Sequence, residues 1–147
     1  MLQPVRIGHV VLKVRDLDRS LGFYRDLLGF RVASEMSNVM IFLTATGENH
    51  HDLALVRVGD SAPSPRAAAV GLYHVAIQLA DWEAVQKAHA ILAERGLLKG
   101  TADHGVTKSL YTSDPDGNEI ELFCDAPRAE WEGRVDEVMT VQPLEMG

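Results

Sequence analysis

The chain holds a single cysteine, Cys124, so no intramolecular disulfide can brace it. One thiol inside a β-rich run suits a buried structural group in a reducing, cytoplasmic compartment better than a stapled secreted scaffold. No apolar run approaches the length of a membrane span, and the N-terminus lacks the basic-then-apolar layout of a signal peptide. Basic residues are scarce as well. Fourteen Lys and Arg stand against 21 Asp and Glu, a net charge of −7, with no long basic stripe. That balance argues against nucleic acid or an anionic membrane as partner and favours a small molecule. The 147 residues fit one compact domain or two small fused modules.

The most informative stretch is 104–121. At its centre Asp114-Pro115-Asp116-Gly117 combines a proline that presets one dihedral with a glycine that accepts a positive φ. A turn of this kind between two β-rich runs predicts a hairpin, with Ser109–Thr112 as one strand and Glu119–Cys124 as the other. Alternation then puts Glu119, Glu121 and Phe123 on one face and Ile120, Leu122 and Cys124 on the opposite one. A carboxylate on an inward-facing strand position is costly unless it is paired or holds a cation.

Earlier in the chain, Ile7–Val14 reads as a strand with Ile7, His9, Val11 and Lys13 on one face. Asp16 and Asp18 supply N-cap chemistry, and Leu17, Leu21, Tyr24 and Leu28 follow at helical spacing up to Gly29. Phe30–Glu35, Val39–Thr44 and His51–Val58 read as three more strands. Ser61–Pro65 has linker composition. The pattern then returns. Leu72–Leu79 echoes the first strand histidine for histidine, with His74 in the place of His9. A helix over Trp82–Arg95, with Trp82, Val85, Ala88 and Leu92 as its core stripe, precedes a short strand near Leu97–Ala102 and the hairpin.

This is an internal repeat of strand, helix and three strands. It places a first module at 1–60, a linker at 61–70, a second module at 71–125 and a C-terminal tail at 126–147. The fold class is therefore α+β: two paired βαβββ modules forming an open eight-stranded barrel-like cleft around a shared concavity. In the tail, Trp131, Val135, Val138 and Met139 are placed to cover a cleft or a partner subunit. Aligning Phe42-Leu43-Thr44 with Leu110-Tyr111-Thr112 sets Ala54 at the place of Glu121, within one residue. His9, His74 and Glu121 thus form a set of three donors with coordination positions open. Two imidazoles and one carboxylate suit a divalent first-row metal, as in non-haem Fe(II) oxygenases.

The repeat with its histidine-bearing first strands, together with Leu17–Val32 as the first-helix motif, resembles the vicinal-oxygen-chelate superfamily. The resemblance covers residues 5–125. Within it, His104, Leu110-Tyr111, Asp114-Pro115-Asp116-Gly117 and Glu121 resemble the pattern of type I extradiol catechol dioxygenases. Ala102 departs from that pattern, which favours Gly, Asn or Thr there. His51-Asp52-Leu53-Ala54-Leu55 resembles the segment around that family's acid–base histidine. The resemblance implies a metal-dependent ring-cleavage dioxygenase acting on a catechol-type diol with O2. It implies Fe(II), with Mn(II) or another divalent metal as alternatives, on His9, His74 and Glu121. It further implies His51 as acid–base, with His50 as the alternative, and His104 and Tyr111 as hydrogen-bonding partners of the substrate. A homodimer is also implied. Three other activities stay open on the same fold: a fosfomycin-type thiol transferase, a glyoxalase-like lyase and non-catalytic small-molecule binding. Glyoxalase I needs a first-module carboxylate where Ala54 or a neighbour stands, and metal content separates enzymes from binding proteins.

Overall fold

The computed structural model describes residues 1–64, 66 and 68–146. Pro65 and Ala67 of the predicted linker, and Gly147 of the predicted tail, lie outside the described residues. The chain divides into two compact units, Met1–Ala69 with Asp114–Gly117, and Val70–Ser113 with Asn118–Gly147. Each carries a βαβββ module with its own four-stranded sheet, so the α+β repeat read from the sequence is present. Among the described residues no helix is long and apolar enough to cross a membrane.

The first unit runs β1 (Val10–Val14), α1 (Leu17–Tyr24), β2 (Arg31–Met36), β3 (Met40–Thr44) and β4 (Leu53–Arg57). Its sheet order is β1-β4-β3-β2, parallel between β1 and β4 and antiparallel elsewhere. Asp16 starts α1 by accepting the Arg19 backbone N–H at 2.7 Å. Leu12 and Val14 of β1 and Leu17, Leu21 and Tyr24 of α1 are buried, whereas Val11 and Lys13 are exposed. One face of the strand thus joins the core and the other, the face predicted for His9, does not.

Three predicted limits in this unit change by two residues or more. α1 ends at Tyr24 rather than at Gly29, because the next amides reach further back: Asp26 N–H donates to Leu21 O and Leu28 N–H to Phe23 O. That spacing leaves the i→i−4 ladder. β1 starts at Val10, so His9 precedes the strand, and β4 starts at Leu53, so His51 and Asp52 precede theirs. Asp52 accounts for the later start of β4. Its carboxylate accepts from Ala45 N–H at 2.8 Å, Asn49 Nδ2 at 2.6 Å and Thr44 Oγ1 at 3.2 Å, organising a loop before the ladder begins.

The turn 114–117 belongs with this unit. Gly117 N–H donates to Asp114 O at 3.1 Å and Asp116 N–H to Asp114 Oδ1 at 2.9 Å, with Gly117 at φ +90° as the turn requires. Asp116 is buried and accepts from Arg15 Nη1 at 2.9 Å, Arg19 Nη2 at 2.7 Å and Arg15 N–H at 3.0 Å. A buried carboxylate is tolerable only with such partners. The buried Tyr24 hydroxyl donates to Asp114 Oδ2 at 2.9 Å. Burial, and then the Asp114 charge, push its ionisation far above the ordinary phenol range, so it stays a donor.

The second unit runs β5 (His74–Gln78), α2 (Trp82–Glu94), β6 (Gly100–Asp103), β7 (Thr107–Ser113) and β8 (Glu119–Asp125), followed by two single-turn helices, α3 (Arg128–Trp131) and α4 (Val135–Val138). The sheet order is β5-β8-β7-β6, again parallel only between its first two members. The strand expected near Leu97–Ala102 lies instead at Gly100–Asp103, because Leu97 and Leu98 donate back to Leu92 O at the helix end. Asp81 caps α2 through Ala84 N–H at 2.9 Å. Val85 and Leu92 of its stripe are fully buried, with Trp82 and Ala88 half-buried. Leu110, Ile120, Leu122 and the free thiol of Cys124 complete the core. Truncating Leu110 or Ile120 to Ala costs about 2–5 kcal/mol on general grounds.

The two registers also compare the modules. Ala54 stands between Val11 on β1 and Phe42 on β3. Glu121 stands between Ala76 on β5 and Tyr111 on β7. Ala54 is therefore the counterpart of Glu121, and Phe42, not Leu43, is the counterpart of Tyr111. The sequence alignment was one residue off on β3 and in register on β4.

Candidate active site

Parallel pairing of β5 with β8 and antiparallel pairing of β7 with β8 bring side chains of three strands to one face around Glu121. Glu121 is only 7% exposed. His74 Nε2 stands 3.0 Å from its Oε2. The Tyr111 hydroxyl lies 3.4 Å from Oε1 and 2.7 Å from His104 Nε2. These four residues, with Phe123 and Met139 among others, line a concavity of about 510 Å³. Burial first, and then the Glu121 charge, raise the Tyr111 phenol above its ordinary range, so it is an O–H group at neutral pH.

The His74–Glu121 pair fits a divalent first-row ion. Imidazole and carboxylate are both donors such ions accept, and two donors each roughly 2.1 Å from one ion, at right angles, lie about 3.0 Å apart. The other ring nitrogen, His74 Nδ1, is buried and makes no hydrogen bond to any described residue. Glu119 Oε1 is 3.5 Å away and forms no hydrogen bond with it. It is the natural second carboxylate to orient the ring, since ligating histidines direct their remaining N–H at such groups. Within neither unit do three or more described His, Cys, Asp or Glu side chains gather in a metal-holding arrangement.

The first unit assembles three further histidines. His9 is exposed, and its ring centroid lies 4.2 Å from that of half-buried His51 and 6.3 Å from that of His50. His50 Nδ1 and His51 Nδ1 are 2.6 Å apart, so one of them carries the shared hydrogen. Phe42 meets the His51 ring edge-on at 5.1 Å. Partial desolvation, then the neighbouring His9 and His50, hold the His51 imidazolium below its ordinary range, only partly offset by Asp52. His51 is therefore neutral at physiological pH.

Of the residues singled out in the sequence, His74, Glu121, Tyr111 and His104 come together in the second unit, and His9 with His51 and His50 in the first. Sequence reasoning missed the main-chain carbonyl of Thr140, which stands 3.2 Å from His104 Nδ1, because a backbone contact leaves no residue-type signal. It placed Met139 as a cover for a cleft or a partner subunit; Met139 lines this concavity. His89 sits half-buried in α2, as a helix residue.

Residues 6–122 match the sequence profile of the Glyoxalase/Bleomycin resistance protein/Dioxygenase superfamily. The chain belongs to that superfamily. A Bacillus subtilis (strain 168) protein named Catechol-2,3-dioxygenase is 40% identical over 131 residues, 88% of this chain and 45% of that protein. A Rhodococcus globerulus protein named Biphenyl-2,3-diol 1,2-dioxygenase 3 is 38% identical over 122 residues, 82% of this chain and 63% of that protein. This superfamily chain thus spans about half to two thirds of the length of these two relatives. The crystal structure of a glyoxalase/dioxygenase from Nostoc punctiforme superposes with a TM-score of 0.69 at 21% identity, covering 86% of this chain and 97% of that one. At that identity the likeness concerns the fold alone.

Proposed function

We propose that the chain is an extradiol dioxygenase that opens the ring of a catechol-type substrate with O2 at a divalent metal, Fe(II) by preference. The observation that carries this reading is the run His74–Glu121–Tyr111–His104 along one concave face, in a chain 40% identical to a protein named Catechol-2,3-dioxygenase. His74 and Glu121 would hold the ion, with His9, the repeat counterpart of His74, as third ligand. When bound, the metal lowers the pKa of a coordinated hydroxyl and activates dioxygen beside the substrate.

The protein's own residues do the rest. With His51 donating from Nδ1 to His50, its Nε2 keeps a lone pair and takes a proton from a substrate hydroxyl; its depressed basicity lets it return that proton later. Tyr111, backed by the 2.7 Å contact with His104 Nε2, hydrogen-bonds a substrate oxygen and holds the ring in one orientation, which supplies rate through positioning. Phe123 offers an aromatic wall beside them. Ala54, lacking a carboxylate, leaves the coordination position that a fourth protein ligand would close.

The test is anaerobic loading with Fe(II) or Mn(II), followed by a panel of substituted catechols in air. The expected results are about one metal per chain, one dioxygen consumed per catechol and a yellow ring-opened semialdehyde. His74→Ala and His9→Ala should each lose the metal while keeping the fold. Full metal retention in both variants removes the ligand assignment, and absence of oxygen uptake across the panel removes the dioxygenase reading.

A further inference from the structure

Past β8 the chain returns to β6 and seals the loop that carries His104. Asp103 and Gln142 exchange backbone hydrogen bonds of 2.8 and 2.9 Å. Thr140 N–H donates to His104 O at 3.0 Å, and His104 N–H donates to Thr107 O at 2.8 Å. Gly105, at φ +73°, lies so close beneath the tail that a Cβ there would run into the Val138 carbonyl oxygen. The imidazole of His104 is gripped at both ends, with Nδ1 3.2 Å from Thr140 O and Nε2 2.7 Å from the Tyr111 hydroxyl.

We infer that the C-terminal segment is a positioning element: the Thr140 carbonyl fixes His104 as the Nδ1–H tautomer and thereby sets the direction of the Tyr111 hydrogen bond. A carbonyl oxygen accepts and never donates, so the hydrogen of that contact sits on Nδ1. A neutral imidazole has one N–H, which leaves Nε2 a lone pair, and the hydrogen between it and Tyr111 comes from the phenol. Two consequences follow. Glu121 Oε1 is the longer of the two acceptors of that phenol, at 3.4 Å against 2.7 Å for His104 Nε2, and with the hydrogen committed to the shorter bond it keeps its lone pairs for a cation. The Tyr111 oxygen faces the concavity as an acceptor, so the ligand it selects carries a hydroxyl or amine hydrogen at that point. The ligand consequence rests on the functional reading above; the tautomer does not.

The experiment uses the full chain labelled with 15N-histidine, in a multiple-bond 1H–15N correlation at about pH 8.5, roughly two units above the ordinary imidazole pKa. The expected pattern for His104 is a protonated Nδ1 and an unprotonated Nε2. A proton on Nε2, in the other neutral tautomer or in an imidazolium, reverses the Tyr111 bond and overturns the inference. Gly105→Ala lifts the tail, and Thr140→Pro removes the amide that ties it to His104 without adding a side chain at Gly105. Whichever folds should show mixed tautomers. It should also show kcat for ring opening lowered roughly three- to tenfold, the scale of one hydrogen bond, with metal content unchanged. Thr140→Val keeps the carbonyl and should keep the wild-type tautomer. A tautomer that survives both tail-lifting variants sinks the inference. A wild type with the expected tautomer that never consumes oxygen leaves the inference standing and removes the functional reading instead.

Discussion

Replacing Tyr111 by Phe isolates a single oxygen atom. The ring stays in the ladder between Gly100 and Glu121, so packing is preserved and the variant should fold with near-native stability. The 2.7 Å contact to His104 Nε2 and the longer 3.4 Å contact to Glu121 disappear. His104 Nε2 then faces the concavity, where water can replace the phenol, so the loss is one net hydrogen bond of about 0.5–1.5 kcal/mol. Expressed at the transition state, this is a fall in kcat of roughly 2- to 12-fold. His51→Phe, which removes the proposed proton carrier, should cost about 10²–10⁴-fold under the same assay. The sharper test is the cycle with His104→Ala. Both substitutions break the same bond, so the double variant should lose little more than the larger single one, instead of the product of the two. Oxygen uptake on Fe(II)-loaded protein, normalised to metal content, reads all four corners. Strictly multiplicative losses would show that the two side chains act independently, and a loss above about 100-fold in Tyr111→Phe would make it a proton carrier.

In the first unit, Tyr24→Phe should destabilise by about 1.5–3 kcal/mol in urea unfolding, since the hydroxyl donates to a buried carboxylate; a change under about 0.5 kcal/mol would mean that bond contributes nothing. Ala54→Glu puts a carboxylate at a fully buried position equivalent to Glu121. It should either add a ligand, altering the metal's spectrum, or unfold the strand, and a well-folded variant with unchanged coordination defeats the equivalence. At Asp52, burial raises the carboxyl pKa, but hydrogen bonds from Ala45, Asn49 and Thr44 outweigh it and hold the pKa below the ordinary range. The folded state therefore binds that proton less tightly than the unfolded chain. Its contribution is full above about pH 4 and is lost as pH falls through the folded value. The stability gap between wild type and Asp52→Asn should accordingly shrink between neutral pH and about pH 3, and an equal gap at both would refute a charge-based role.

Elements governed by local chemistry were legible in the chain. The Asp114–Gly117 turn follows from proline and glycine preferences, the Ile120, Leu122 and Cys124 face from alternation, and α2 from its Val85 and Leu92 stripe. His9 and His74 stand out in the chain because they recur in a repeat, and Glu121 because it is an inward-facing carboxylate where the first module has Ala54. What escaped depends on partners distant in sequence or on the main chain. Asp116 reads as a turn residue, yet its carboxylate holds Arg15 and Arg19 about a hundred positions away. The strand starts after His9 and His51 were missed because the Asp52 loop bonds override β propensity there. The Thr140 carbonyl had no side chain to announce it.

In both modules the first strand is hydrogen-bonded to the last, β1 to β4 and β5 to β8. His74 and Glu121 are therefore strangers until the whole second module has been synthesised and its final strand inserted beside β5. A nascent chain halted before β8 has the histidine but not its carboxylate, and so holds no ion through this pair. Any loading through this pair would be coupled to completion of the sheet, and such non-local closure is among the slower steps of folding. Metal capture by this pair would then serve during biosynthesis as a late event, reporting that the module has closed.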